Sequence, residues 1–319
     1  MKRLGNLYEK IYNIDNINYV YKKISSKIHN KRKLEFLKQY RCIYISRIHT
    51  TLKNKSFIPS SYNTFTIYEP KKRIIISLNL QDKIINHLVS TYILLPALTP
   101  CLIDSNVASR KGFGTRRGLE LSYEYHRICK LKYKNYYILK GDISKFFQSI
   151  NHNILKEKLK KKIKDISALD IVFKIIDSDS AGLSIGTMTS QILAVFYLND
   201  LDHYIKEVLK IKYYVRYQDD FLLFHKSKQY LKYCLGKIAQ FLEQEDLYLN
   251  KKTRIYSHYD NFLFLGRTQK GRYGKYRTVK RRLKKRAYLY STQKISLANY
   301  VNSIISYDYL LNNPKKKHF

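Results

Sequence analysis

Apolar and polar positions alternate most clearly over YYVRYQDDFLLF (213–224), where two apolar arms flank a short polar turn. This pattern predicts a β-hairpin with Asp219 and Asp220 at its tip. YYILKGDI (136–143) predicts a second strand whose last turn delivers Asp142, with Phe146 and Phe147 directly after it. FTIYEP and RIIISL predict two strands around a corner of Lys71, Lys72 and Arg73. LYLNKKTRIY (247–256) predicts a strand with a basic bend, and FLFLGR (262–267) a further short strand. Elsewhere apolar residues recur every three to four positions. Ile11, Ile14, Ile17, Val20 and Ile24 form one helical stripe, and Leu34, Leu37, Tyr40, Tyr44 and Ile48 another. The basic run KIHNKRK (27–33) separates them into two helices. QDKIINHLV opens a helix that continues toward Leu95. Asn151 is the expected N-cap of the helix in QSINHNILKEKLKKKI. GLSIGTMTSQ (182–191) is a glycine-bearing, hydroxyl-rich loop feeding a helix whose apolar stripe is core packing. A helix over roughly 228–246 and a mostly polar helical tail complete the chain.

Composition narrows the class. At 319 residues the chain can bury a substantial core as one large domain or two to three subdomains. Apolar content of 45% excludes a disordered chain. Against 61 Lys+Arg stand only 24 Asp+Glu, a net charge of +37, which makes nucleic acid the expected partner. An A/T-rich codon bias would explain the 31 tyrosines and some of the lysines, but not the scarcity of acids. Cys42, Cys101, Cys129 and Cys234 are scattered without a CxxC pair, so neither a zinc site nor a disulfide framework is indicated. The N-terminal residues carry no apolar signal core, and the apolar run YILLPAL is short and interrupted by Pro96. No membrane span and a cytoplasmic location are the expectations.

In so basic a chain the few acids stand out. A lone Asp-Asp turn is most often a solvated surface turn. A third aspartate in a similar strand-end setting, Asp142, shifts that balance toward a metal site facing a polyanion. Three carboxylates from two segments can hold two Mg²⁺ ions about 3.5–4 Å apart, with water and substrate phosphates completing the shell. That donor set suits nucleotidyl transfer by in-line displacement. The corner at 71–73 and the loop SRKGFGTRR, with Arg110 and Lys111, could meet triphosphate oxygens. Solvated loops would look similar. Phe147, close to Asp142, could press on the sugar and exclude a 2′-hydroxyl.

Taken together, these segments resemble the reverse transcriptases. YQDD with its apolar flanks looks like their YxDD motif, and LKGDISKFF like their motif A. The resemblance implies Asp142, Asp219 and Asp220 as catalytic, metal-binding acids, the Ile143 carbonyl as a further metal ligand and Phe147 as a steric gate. EPKKRIII and SRKGFGT resemble the two fingers motifs, implying Arg73 and Arg110 at the triphosphate. LNKKT resembles motif D, with Lys252 as proton donor to pyrophosphate. FLFLGR resembles the primer grip, at Phe264, Leu265 and Gly266. In GLSIGTMTSQ, Ile185 stands where group II intron and retron enzymes usually carry Gln. The pattern Ile185-Gly186 followed by Ser190-Gln191 is similar to the reverse transcriptases of diversity-generating retroelements.

The resemblance implies an α+β right-hand polymerase. Its expected divisions are an N-terminal helical extension (1–58), fingers (59–131), a palm with an antiparallel sheet (132–267, with a helical fingers insertion near 151–181) and a short basic helical thumb and tail (268–319). It further implies two Mg²⁺ ions, with Mn²⁺ able to substitute, and dNTPs, template RNA and an RNA–cDNA hybrid as ligands. A pentameric accessory variability protein is the implied partner. The implied activity is error-prone copying of a template-repeat RNA for mutagenic retrohoming. An Ile at 185 cannot hydrogen-bond the incoming nucleotide or template as a Gln could, so base-pair geometry would be checked less strictly. Competing readings are a bacterial reverse transcriptase of an unassigned or antiphage-defence group, and a non-catalytic RNA-binding protein on a polymerase scaffold.

Overall fold

The computed structural model describes residues 3–67, 73–268 and 276–312. Lys71 and Lys72 lie outside the described residues, as does Lys275 at the start of the basic C-terminal run.

The N-terminal region forms four helices, α1 (Tyr8–Tyr12), α2 (Ile14–Ser25), α3 (Lys31–Gln39) and α4 (Arg41–Lys53), where two were expected. The first extra break is local chemistry. The Asn13 side chain accepts the Asn16 N–H and caps α2. The cap resets the helical phase, so Ile14 is 55% exposed while Ile11, Ile17 and Val20 are buried. These helices share one core with α5 (Leu80–Val89), because Ile17, Ile48 and Leu52 pack in the same cluster as Ile84, Ile85 and Leu88.

The chain continues from α5 through a π-helical turn (Ser90–Leu94), α6 (Leu95–Leu98) and a 3₁₀ turn to Cys101. Pro96 lacks an N–H and cannot continue a regular ladder, and the π turn lies directly before it. By length and composition, Leu80–Cys101 is long and apolar enough to cross a membrane. Here its most apolar 18 residues are 56% buried, with Leu88, Val89, Ile93 and Leu94 in the core.

β1 (Asn63–Ile67) and β2 (Arg73–Ser77) form the expected antiparallel hairpin. After the loop 102–114 comes α7 (Thr115–Lys132), then β3 (Tyr137–Gly141), the single turn α8 (Phe146–Ser149), α9 (His152–Lys160) and α10 (Ile166–Asp177). Asn151 caps α9 as expected, accepting from Asn153 N and Ile154 N. α11 (Met188–Tyr197) and α12 (Asn199–His203) follow, with a break at Leu198 where one helix was expected, and then a π turn at 204–208. β4 (Tyr213–Tyr217), β5 (Asp220–His225), α13 (Lys228–Gln244) and β6 (Arg254–Ser257) complete the central unit. α14 (Tyr276–Ser291) and α15 (Leu297–Asn312) pack together at the C-terminal end, where Tyr290 stacks on Tyr300.

The strands form a four-stranded antiparallel sheet of order β4-β5-β3-β6. Alternate side chains serve two cores. Leu139, Tyr214, Phe221 and Leu223 join the cluster that includes α11 and α13, while Ile138, Val215, Leu222 and Phe224 pack with α7 residues on the other face. Burial on both faces explains why these strands are apolar almost throughout. Gly141 lies opposite Phe221 in register, and a Cβ there would meet the Phe221 ring at 2.0 Å. The bare glycine lets the aromatic ring cross the strand immediately before Asp142.

The chain start is stitched to the loop before α10. Leu4 N donates to Lys162 O and Lys164 N to Leu4 O. Asp165 caps α10 through Ala168 N and also accepts from Leu7 N and Tyr8 N at 2.8 and 2.9 Å. Burial pushes the Asp165 carboxyl upward, but the backbone donors outweigh it and hold its pKa below the usual value of 3.8. A depressed folded-state pKa stabilises the fold above the unfolded value, and that contribution is lost as pH falls through the folded value. Asp165→Asn is therefore expected to cost about 1–2 kcal/mol at pH 7, the scale of a lost cap. In urea melts the gap between variant and parent should close as the pH is lowered below 3.8.

Candidate active site

The tip of the β4–β5 hairpin and the end of β3 lie side by side, because Gly141 pairs with Phe221 and Tyr217 with Asp220. This brings Asp142, Asp219 and Asp220 together from two distant segments. Burial raises the Asp219 carboxyl above its usual range, and the Asp142 carboxylate, within hydrogen-bonding reach, raises it further. Its own backbone N–H and Arg73 pull it back. Asp220 is pushed up to about 6, first by burial, with Lys140 opposing and Asp142 and Asp219 adding to the rise. Lys140, on β3, donates to Asp220 Oδ1 at 2.5 Å.

The mutual repulsion of these carboxylates is what a divalent cation would relieve, and their oxygens suit a hard one. Among the described residues, no group of three His, Cys, Asp or Glu side chains closes around one point. Asp142 and Asp219 instead offer an open pair, with Asp220 held by Lys140. One or two carboxylates with room for water and phosphate is the arrangement Mg²⁺ favours, so the residues fit such an ion.

The main chain around Asp142 is clasped by the loop 250–253. Asn250 N donates to Asp142 O at 2.7 Å, Asp142 N donates to Thr253 Oγ1, and Ile143 bridges to Leu249. Lys252 sits in this clasp with an exposed side chain. Most of 247–256 is therefore loop, and only Arg254–Ser257 is strand.

The half-buried Phe147 follows the left-handed Lys145 at the start of α8. Its carbonyl accepts Leu183 N at 2.7 Å. Gly182, with φ +65°, allows this approach, since a Cβ would meet the Phe147 carbonyl at 2.5 Å. Three residues on, Ile185 O accepts Ile76 N, tying the loop before α11 to β2. Gly186 is required there, because a Cβ would lie 2.6 Å from Ile76 O. Ser190 is buried and accepts from Thr187 Oγ1, and Thr189 donates to Asn86 Oδ1 on α5. Gln191 is exposed.

Arg73 and Lys111 are exposed, and Arg73 is close enough to act on the Asp219 charge. Arg110 is otherwise engaged. It donates to the Ile103 and Asn106 carbonyls and lies 4.0 Å over the Phe113 ring. FLFLGR is not a strand. Phe264 and Arg267 exchange both backbone hydrogen bonds around Leu265 and Gly266, which have φ +49° and +81°. Two positive φ angles are the signature of a type I′ turn. Phe264 is buried against α7, and Leu265 lies over Gly118.

The profile of the reverse transcriptase (RNA-dependent DNA polymerase) family matches residues 53–269. The chain belongs to this family. Protein YkfC of Escherichia coli K12 is 25% identical over an alignment covering 45% of this chain and 50% of YkfC, so the chain spans about half that relative's length. Among solved structures, apo telomerase of Candida tropicalis truncated from its C-terminal domain aligns with a TM-score of 0.52 at 16% identity, covering 67% of this chain and 53% of that one. Candida albicans telomerase with a fragment of telomeric RNA aligns with a TM-score of 0.51 at 14% identity, over 73% and 48%. These likenesses show the α+β polymerase fold.

A buried ion pair that shapes the site of this reverse transcriptase escaped the sequence reading, as did Lys140. Arg216 on β4 and Asp202 on α12 are both fully buried. Arg216 Nε and Nη2 donate to the two Asp202 oxygens at 2.6 and 2.5 Å. Tyr214 OH and Asn106 Nδ2 complete the carboxylate's shell. Arg216 Nη1 donates to Gln218 O, inside the turn that carries Asp219. The available signal was a lone Arg in an apolar strand and a pair of aspartates, Asp200 and Asp202, in an apolar helical stripe. Removing one partner of a buried pair costs about 3–5 kcal/mol, whereas replacing both with apolar residues can be neutral. Arg216→Met is thus expected to destabilise on that scale, and Arg216→Met with Asp202→Leu to recover most of the loss in guanidinium melts.

Proposed function

We propose that this reverse transcriptase makes error-prone cDNA from a template-repeat RNA, as the polymerase of a diversity-generating retroelement. The observation that carries the polymerase chemistry is the pairing of Asp142 with Asp219 at adjoining strand ends, with Arg73 close enough to act on the Asp219 charge. These two carboxylates would hold Mg²⁺, which when bound activates a primer 3′-hydroxyl and neutralises triphosphate oxygens. Asp220, anchored by Lys140, would complete the acidic set as the nucleotide arrives. Arg73 would offer its guanidinium to the triphosphate, and Lys252 a proton to the departing pyrophosphate. Phe147, braced through its carbonyl by Leu183, would exclude a 2′-hydroxyl. The Leu265–Gly266 turn would bear on the primer, and the basic helix α14 would track the hybrid by phosphate contacts.

The retroelement assignment rests on the loop before α11. Ile185 spends its carbonyl on Ile76 and presents a side chain without a donor or acceptor. A side chain of that kind cannot reward a correctly shaped base pair. A pentameric accessory variability protein is the partner this reading calls for.

Primer extension on a defined RNA template with Mg²⁺ and dNTPs, with and without that accessory protein, tests the proposal. The expected product carries substitutions concentrated opposite template adenines. It should vanish in Asp219→Ala and on chelation, and return with Mg²⁺ or Mn²⁺. Faithful or untemplated product would place the enzyme in another reverse-transcriptase group. Ile185→Gln is expected to lower the error rate, and an unchanged rate would remove Ile185 from the explanation. Phe147→Ala is expected to raise ribonucleotide incorporation at least ~10-fold, the scale of one lost steric contact.

A further inference from the structure

A cleft of 660 Å³ opens where the chain start, the end of α4 and the loop before α10 meet. It shares no residue with the aspartate site. Arg3, Lys53, Lys55 and Lys164 line it. Among the described residues, none of these four forms an ion pair. Arg3 donates to the Ile163 carbonyl and Lys55 to the Ser167 hydroxyl, both neutral acceptors. Asp165 also lines the cleft, but its two oxygens are taken by backbone N–H groups. Glu9 is the other acid there, so cations outnumber carboxylates by two.

The neighbouring helix treats its lysines differently. On α9, Lys156 pairs with Asp177, Lys158 with Asp200 and Glu245, and Lys160 with Glu157. Four cations gathered around a concavity without carboxylate partners make a place for an anion from outside. Two tyrosines give the cleft a second character. Tyr8 is buried beneath Lys55, which lies 5.7 Å over its ring, so the half-buried Tyr12 is the ring a base could reach. Cations with aromatic rings match a ligand that alternates phosphate and base. The volume is that of a small-ligand pocket, about 300–1,000 Å³. It admits a stretch of single strand, not the broad face of a duplex.

We propose that this cleft binds single-stranded RNA through its phosphates, holding a part of the RNA that is not being copied. The inference rests on the polymerase reading for the supply of RNA, but the site is separate. It makes the first residues and the loop before α10 a clamp that shares no residue with the copying centre.

The test uses the full chain with its aspartate site occupied by a short, pre-annealed primer–template. A 4-thiouridine-labelled single-stranded oligouridylate is then added and crosslinked, and its affinity is read by fluorescence anisotropy across a salt series. Crosslinks in peptides covering 3–12, 53–55 or 164–167 are expected. Lys53→Gln with Lys164→Gln removes two exposed side chains and should leave the fold intact. It is expected to weaken oligouridylate binding at least ~5-fold and to reduce the slope of log K against log salt by about 1.4, the value for two phosphates on a single strand. Extension of the short primer–template should be unchanged. Crosslinks confined to the aspartate site, or unchanged affinity and slope in the variant, would overturn the proposal. Failure of wild-type primer extension together with crosslinks at the cleft would overturn the polymerase reading alone.

Discussion

The Arg216–Asp202 pair is the constraint on which the site depends. Two full charges lie in the interior, where leaving water costs several kcal/mol for each ion. The pair persists because Asp202 receives four donors, from Arg216, Tyr214 and Asn106, and because Arg216 has further acceptors in Val195 O and Gln218 O. A complete shell turns a liability into a rigid strut. It joins α12, the end of α11, the segment at 105–107 and the hairpin turn. That segment runs along β4, with Arg216 N donating to Ser105 O and Val107 N to Arg216 O. An otherwise open sheet edge is thereby covered next to the aspartates.

Main-chain hydrogen bonds perform most of the remaining assembly. Asn250 reaches Asp142, Leu183 reaches Phe147, and Ile76 reaches Ile185. Each contact joins segments far apart in sequence, and two of them require a glycine, Gly182 or Gly186, to permit the approach. Backbone stitching places Phe147 and Ile185 without a hydrogen bond from either side chain. It also connects β2, which bears Arg73, to the loop that would sit over the base pair.

The parts legible in the sequence were those with a local signature. Alternation marked β4 and β5, a polar turn marked the aspartates, and Asn151 announced its cap. The parts that escaped are set by tertiary partners. Nothing adjacent to Arg216 points to Asp202, since their pairing depends on how α12 crosses the sheet. Lys140 looked like one lysine among many, and its role follows only from the β3–β5 register. FLFLGR has the composition of a strand, but Leu265 and Gly266 both adopt positive φ and fold it into a turn. Ile14 matched a helical stripe by count, and the cap at Asn13 moved it out of phase. Arg110 Nη1 donates to two backbone carbonyls, at Ile103 and Asn106, which its neighbours in the sequence do not announce.

The hairpin tip carries a backbone cost. Gln218 has φ +56°, a conformation that favours glycine and costs other residues about 1–2 kcal/mol. Its side-chain amide donates to Ser109, itself at φ +53°, while its Oε1 is buried without a hydrogen-bond partner. A glycine at 218 would relieve the backbone but would give up the tether to Ser109. The carbonyl of the same residue is held by Arg216. The turn is thus pinned from both sides, by a charge in the core and by a strained loop above it. Two like-charged carboxylates at its end would otherwise swing apart. The strained Gln218 thus sits in a turn fixed by two hydrogen bonds, directly before the Asp219 that lies within reach of Asp142.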